Sequence, residues 1–327
     1  VRVLLLGAGA VGARAARQLV EADDVDEVVL AGGGAKRRTA VAKSTGDQAT
    51  DGGAGHDVDG AVDVVLLAGP AGTHLEAARH HLALGRPVVS TSDAVDDVRG
   101  LLDLDAEAQA RAVAVVAGAA FSPGLTCLLA RHGAAGFERV DELHVARSGT
   151  GGPACARQHH GSLTGTALDW RDGGWQRRSA GSGRELCWFP DPIGAEDCYR
   201  AELPDALLLV PAFPGVGRVT ARLAATRRDR ITAHLPMLRK PHPEGLVGAV
   251  RVEVRGLRDG TNDVLVLGAL DRPAVAAGAV AALAARAAAH GELPTGAGGL
   301  GRVADPLPML QALATIGIKA AVFDGGT

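Results

Sequence analysis

The chain has 327 residues, 47% hydrophobic and 22% charged, which supplies a full core and excludes a disordered or fibrous protein. Thirty-four Lys and Arg against 37 Asp and Glu leave a formal charge of −3, so no basic field is offered to nucleic acid or to anionic lipid. At roughly 150 residues per domain the length suggests two units.

Cys127, Cys155, Cys187 and Cys198 form no CxxC pair, so neither a zinc ribbon nor a redox dithiol is legible, and no metal site is expected. So few thiols fit a reducing compartment. The most apolar stretches, 62–68 and 274–289, are too short or too alanine-rich for the roughly 20 residues of a membrane span, and no basic leader opens the chain. The expectation is a cytoplasmic protein with no membrane partner.

The first 120 residues alternate short β-branched runs with Ala/Leu-rich helical patterns, the signature of a doubly wound parallel sheet covered by helices. Strands are predicted over 1–6, 27–31, 62–68, 87–91 and 112–117. Helices are predicted over 13–21, from Thr73 to about Gly85, and over 98–111. From about Gly124 the rhythm changes. The runs 142–147, 206–210, 218–224, 247–255 and 263–270 read as strands without crossover helices between most of them, which favours a second domain of α+β type. Residues 151–183 read as an ordered loop region, 274–289 and 308–313 as helices, and 320–323 as extended. The expected division is 1–123 for the α/β domain, 124–272 for the α+β domain, and 273–327 for a segment returning to the first.

Gly7-Ala-Gly9-Ala10-Val11-Gly12 follows a strand and opens a helix, the context in which GxGxxG binds a dinucleotide. Gly7 permits the turn, Gly9 lets a pyrophosphate approach, and Gly12 lets helix and strand pack; N–H groups at the helix start then meet the anion. A turn serving packing alone is the other reading. About 20 residues on, an NAD site would carry an acid for the ribose 2′-OH. Here Ala31-Gly32-Gly33-Gly34-Ala35 has none, and Lys36, Arg37 and Arg38 follow. Guanidinium suits a 2′-phosphate, so NADP fits better than NAD, the alternative being a solvated basic start to the next helix. Ala68-Gly69-Pro70 ends the third strand, either at the ligand-binding edge of the sheet or as a simple turn.

These segments, together with Val88 to Ser92 (Ser90 and Ser92 included), Ala117 to Leu125 and Ser148 to Pro153, resemble the saccharopine dehydrogenase-like family. The resemblance covers most of the chain and is best over 1–152. It implies a Rossmann domain joined to an α+β substrate domain, pairing into a homodimer through the second domain's sheet. It also implies hydride exchange between NAD(P)(H) and a carbon–nitrogen bond. Saccharopine reductases usually carry an acid just before the Pro-Gly of the 117–125 motif, where Ser122 stands here, and often another where Thr126-Cys127 stand. These departures point to a relative with another substrate.

Amine or imine chemistry needs a proton carrier for nitrogen and cations for substrate carboxylates. Asp93 is a candidate for orienting a substrate amine, or else a helix cap. Arg147 and Arg184 are candidates for a carboxylate, or else surface arginines. His159 and His160 are candidates for proton exchange if their segment folds over the nicotinamide; only one of two neighbours is expected to act, and both read equally as polar loop residues. His144 reads as a strand core residue, His80-His81 as partners of a helix C-terminus, Cys127 as a buried small residue, and Trp170, Trp175 and Trp188 as core rather than pocket. Three functions stay open: an NADP-dependent oxidoreductase on C–N, one acting on C=O or C=C, and a non-catalytic NADP sensor or assembly partner.

Overall fold

The computed structural model describes residues 1–55, 58, 60–237 and 240–323, the last by its backbone alone. The first domain runs β1 (Arg2–Leu6), α1 (Ala10–Val20), β2 (Glu27–Ala31), α2 (Ala35–Thr45), β3 (Ala49–Asp51), β4 (Val64–Leu67), α3 (His74–Ala83), β5 (Val88–Ser90), α4 (Val95–Leu102), α5 (Asp105–Ala110) and β6 (Ala114–Val116). The second comprises α6 (Leu125–Ala134), β7 (Arg139–Ser148), α7 (Pro153–Ser162), β8 (Thr166–Arg171), β9 (Gly174–Ser179), β10 (Glu185–Trp188), β11 (Ala195–Arg200), α8 (Asp205–Ala212), β12 (Arg218–Ala224), α9 (Arg227–Thr232), β13 (Gly248–Arg258) and β14 (Thr261–Asp271). The chain then continues through α10 (Pro273–Ala289), β15 (Gly296–Gly298), α11 (Leu307–Thr315) and β16 (Lys319–Phe323).

The first sheet is parallel, in the order β15-β6-β5-β4-β1-β2-β3. Its inner strand β1 scarcely alternates because both faces are covered: Val3, Leu4 and Leu5 are fully buried, each contributing roughly 1.5–3 kcal/mol. The order reverses between β1 and β4, so the turns after these two strands flank one crevice at the carboxyl edge of the sheet. The second sheet is mixed, with β7 at its centre, parallel to β12 and antiparallel to β13. Asp259-Gly260 turns β13 into β14, and Asp172-Gly173 turns β8 into β9. All four residues have positive φ, as a two-residue turn matching strand twist requires.

Several predicted elements differ. Residues 206–210, predicted as a strand, lie in α8: a five-residue apolar run does not distinguish the two, and Asp205 in the first turn favours helix. The helix predicted over 98–111 is two, α4 and α5, parted at Asp103-Leu104. The loop predicted over 151–183 contains α7, β8 and β9. Residues 273–327, of which 324–327 lie outside the described residues, do not simply return to the first domain. α10 packs on α1 and β15 extends the first sheet, but β16 pairs antiparallel with β14 in the second. Among the described residues no helix is long and apolar enough to cross a membrane.

Candidate active site

A cleft of about 400 Å³ lies where the two sheets meet, lined by the turns after β1, β4 and β5 on one side and by β7 and the start of α7 on the other. Gly7 leaves β1 with φ +116°, and a side chain there would stand 2.6 Å from the Ala68 carbonyl carbon. A Cβ at Gly12 would lie 1.9 Å from the Gly7 oxygen, so helix and turn pack at a distance only glycine allows. Gly9 differs. Its added Cβ would meet only the Ala68 oxygen, at 3.9 Å, and would project into the cleft beside Ala10 and Val11. Gly9 begins α1 without any side-chain cap, leaving the N–H groups of the first turn for an anion. These features fit a dinucleotide's diphosphate.

At the end reached by β2, Gly33, Gly34 and Arg37 line the cleft, with Ala68, Gly69 and Pro70 opposite. Arg37 is exposed, and its Nε donates to the Ala8 carbonyl at 2.6 Å. Arg38 is turned away and buried. It pairs with Asp51 and donates through Nη1 to the carbonyls of Gly32 (3.2 Å) and Gly33 (3.4 Å). Hydrogen bonds from Arg38, Thr39 and the Gly53 N–H hold the Asp51 carboxyl down to about 2. Arg38 is therefore spent inside the fold and does not belong with the cleft cations. Asp51 ends β3, one strand beyond β2, so it lies outside the stretch in which the sequence motif places a ribose acid.

Deeper in, Asp93 follows β5 and faces β7 and α7. Its Oδ2 accepts from Arg147 Nη1 at 2.9 Å and lies 3.2 Å from His159 Nε2. The same imidazole nitrogen lies 3.4 Å from Cys155 Sγ, one helical turn earlier on α7. Arg147 also donates to the Ser122 carbonyl. Burial opposes charge on Asp93, but Arg147 and then His159 outweigh it and bring the carboxyl down to about 2. His159 is raised: burial and Arg147 disfavour its proton, and Cys155 and Asp93 prevail. His159 Nδ1 and Arg147 Nε are buried without a hydrogen-bond partner. The donor atoms of Asp93, Cys155 and His159 lie within 4.8 Å of one another, a spacing a divalent ion would accept. Arg147 already sits on the same Asp93 oxygen, where its positive charge would oppose a dication.

Behind this wall Asp205 of α8 is fully buried; its Oδ1 accepts from Ser122 Oγ (2.8 Å) and Thr126 Oγ1 (3.2 Å). Burial raises its carboxyl above the ordinary range. Ser122 is thus hydrogen-bonded to an acid from α8, which is absent from the sequence candidates because the stretch after it, 206–210, reads as a strand. Burial, and then the Asp205 charge, push the Cys127 thiol up to about 12, which matches its reading as an inert core residue.

The other candidates divide. Ser92 lines the cleft and donates to Asp97 Oδ2 at 2.7 Å. Ser90 lies just beneath it, fully buried, with its Oγ 2.9 Å from His74 Nδ1, while His74 Nε2 donates to the Gly69 carbonyl at 3.0 Å. It shapes the turn rather than the cleft surface. His160 points the other way from His159, about 100° around α7, and donates to the carbonyls of Thr232 and Leu235 at 3.0 Å. Arg184 is exposed far along the second domain, paired with Asp197 at 2.8 Å, and does not reach the cleft. His144 bonds Thr220 on the neighbouring strand β12 and Glu142 on its own strand β7, and Trp170, Trp175 and Trp188 do not line the cleft.

No family model matches the chain. Among solved structures, saccharopine dehydrogenase (L-Glu forming) from Saccharomyces cerevisiae is similar with a TM-score of 0.72 at 16% identity, over 99% of this chain and 100% of that one. A probable dehydrogenase from Thermotoga maritima gives 0.52 at 10% identity, over 98% of each chain. A myo-inositol dehydrogenase from Corynebacterium glutamicum gives 0.50 at 12%, over 100% of this chain and 99% of that one. The chain shares the two-domain fold of these dehydrogenases. At such identities the likeness concerns the fold, and the chemistry must come from the cleft's own residues.

Proposed function

We propose that the chain is an NADP(H)-dependent oxidoreductase that moves a hydride to or from a carbon–nitrogen bond of an amino acid or amine. The observation that carries this reading is that one cleft joins an uncapped glycine turn at the sheet's switch point to the Asp93–His159 pair from the two domains. Gly7, Gly9, Ala10 and Val11 would hold the diphosphate, and Arg37 the 2′-phosphate. The dinucleotide, when bound, supplies or takes up the hydride. His159 holds a proton on Nε2 between Asp93 and Cys155, where it serves a substrate nitrogen reaching the same point. Arg147 keeps Asp93 ionised and in place. Its Nη1 is committed to Asp93 and Ser122, so the substrate carboxylate falls to Arg157, exposed on the cleft wall in α7 with no hydrogen-bond or ion-pair partner among the described residues.

The test follows NADPH absorbance with a panel of 2-oxo acids and aldehydes, with and without ammonia or a primary amine. Loss that requires the amine supports the reading, and loss with the carbonyl alone replaces it by carbonyl reduction. Tight NADPH binding with no turnover replaces it by a sensor.

A further inference from the structure

The four thiols differ in setting. Cys127, Cys187 and Cys198 are buried away from the cleft, whereas Cys155 forms part of its wall. Cys155 sits in the first turn of α7, which starts at Gly152 without a side-chain cap, so the sulfur is carried at the positive end of the helix dipole. His159, four residues on and therefore on the same helix face, brings Nε2 to 3.4 Å from Sγ. Both acidic groups, Cys155 and Asp93, address that one nitrogen, and Nδ1 is left unpartnered in a side chain only 6% exposed. A helix N-terminus together with an imidazolium is the setting that turns a thiol into a thiolate nucleophile. Burial works against the thiolate here, but His159 prevails and the thiol lies below its ordinary value. Hydride exchange at a C–N bond makes no use of such a sulfur.

We propose that Cys155 is a nucleophile toward aldehydes and gives the cleft a second activity, the NADP⁺-dependent oxidation of an aldehyde to a carboxylic acid. The proposal shares the bound dinucleotide and the His159 proton with the function above, and adds the sulfur. The thiolate sulfur bonds to the aldehyde carbon, the C=O pair moves to oxygen, and His159 donates the proton to give a thiohemiacetal. The C–H hydrogen leaves as hydride to NADP⁺ while the O–H proton returns to His159, forming a thioester. Water then attacks the thioester carbon, the C–S bond breaks, and the carboxylate departs with the thiolate restored. Aldehyde, water and NADP⁺ thus become carboxylate, NADPH and two protons.

The experiment uses the full chain with propanal and with succinic semialdehyde as probes. At neutral pH iodoacetamide labels Cys155 at least about tenfold faster than the other three thiols, by peptide mass mapping, and either aldehyde slows that labelling. Acid quenching with NADP⁺ and aldehyde traps one acyl group on Cys155, removable by hydroxylamine. Cys155→Ser, or Cys155→Ala should the first fold poorly, carries no acyl group and loses aldehyde-dependent NADPH formation while binding NADPH unchanged by fluorescence. Labelling of Cys155 no faster than of the buried thiols, or absence of the adduct with both aldehydes, overturns the proposal. So does NADPH formation that persists in the variants or that depends on added zinc. Failure of the C–N reading would appear separately, as no amine-dependent NADPH loss with the adduct still formed.

Discussion

Arg147 of β7 donates to Asp93 in the turn after β5, 2.9 Å from Nη1 to Oδ2, so an ion pair ties the second sheet to the first at the floor of the cleft. Both side chains are mostly enclosed, at 4% and 16% exposure. Removing one partner of such a pair strands the other charge. Asp93→Asn should therefore destabilise the chain by about 3 kcal/mol in urea melts. A change of less than about 1 kcal/mol would show that the pair is not a tie between domains.

The same carboxyl sets an acid limit. Asp93 lies near 2 when folded against an ordinary 3.8, so its ionised form contributes about 2–3 kcal/mol above pH 4, and this is lost as pH falls from about 4 toward 2. Stability of the unmutated chain should fall more steeply across that window than that of Asp93→Asn. Parallel curves would contradict the assignment.

Arg37 and Arg38 should separate cleanly. Arg37→Ala removes a cleft cation and should reduce the preference for NADPH over NADH by about tenfold or more in fluorescence titrations. Arg38→Ala leaves Asp51 without its partner, and should lower the melting temperature with little effect on cofactor choice. The opposite pattern would return Arg38 to the cofactor site.

Gly9 and Gly12 should fail in different ways. Gly9→Val has room to fold but fills the space beside the turn, so NADPH binding should vanish from a protein with normal far-UV circular dichroism. Gly12→Ala forces a carbon against the Gly7 carbonyl and should impair folding itself. Retained NADPH affinity in Gly9→Val would reduce the motif to a packing turn.

His159→Ala should cost about a hundredfold or more in turnover with NADPH affinity intact. His160→Ala should turn over near normally, since its ring serves the 232–235 carbonyls instead. Equal kinetics in the two variants would remove His159 from proton transfer.

Arg157→Ala should raise KM for a carboxylate substrate at least about tenfold with kcat little changed, as expected of a cation that binds ground state and transition state alike. An unchanged KM would assign the carboxylate elsewhere.

Local pattern was enough for the parallel sheet, the glycine turn, the missing acid after β2 and most strands of the second sheet, because periodicity and turn chemistry are properties of neighbouring residues. It was not enough for α7. The stretch Pro153–Ser162 has no apolar stripe, so Cys155 and His159 could not be seen as facing residues until the helix was known. Asp93 meets His159 across 66 residues and Arg147 across 54, and Ser122 meets Asp205 across 83. Arg37 and Arg38 look alike in sequence, and what parts them is a strand, β3, that lays Asp51 under one and not the other. Along the chain alone these residues are charges and thiols of ordinary kind. Their roles are decided by which two sheets close on one another, since burial beside an opposite charge is a property of the assembled interior.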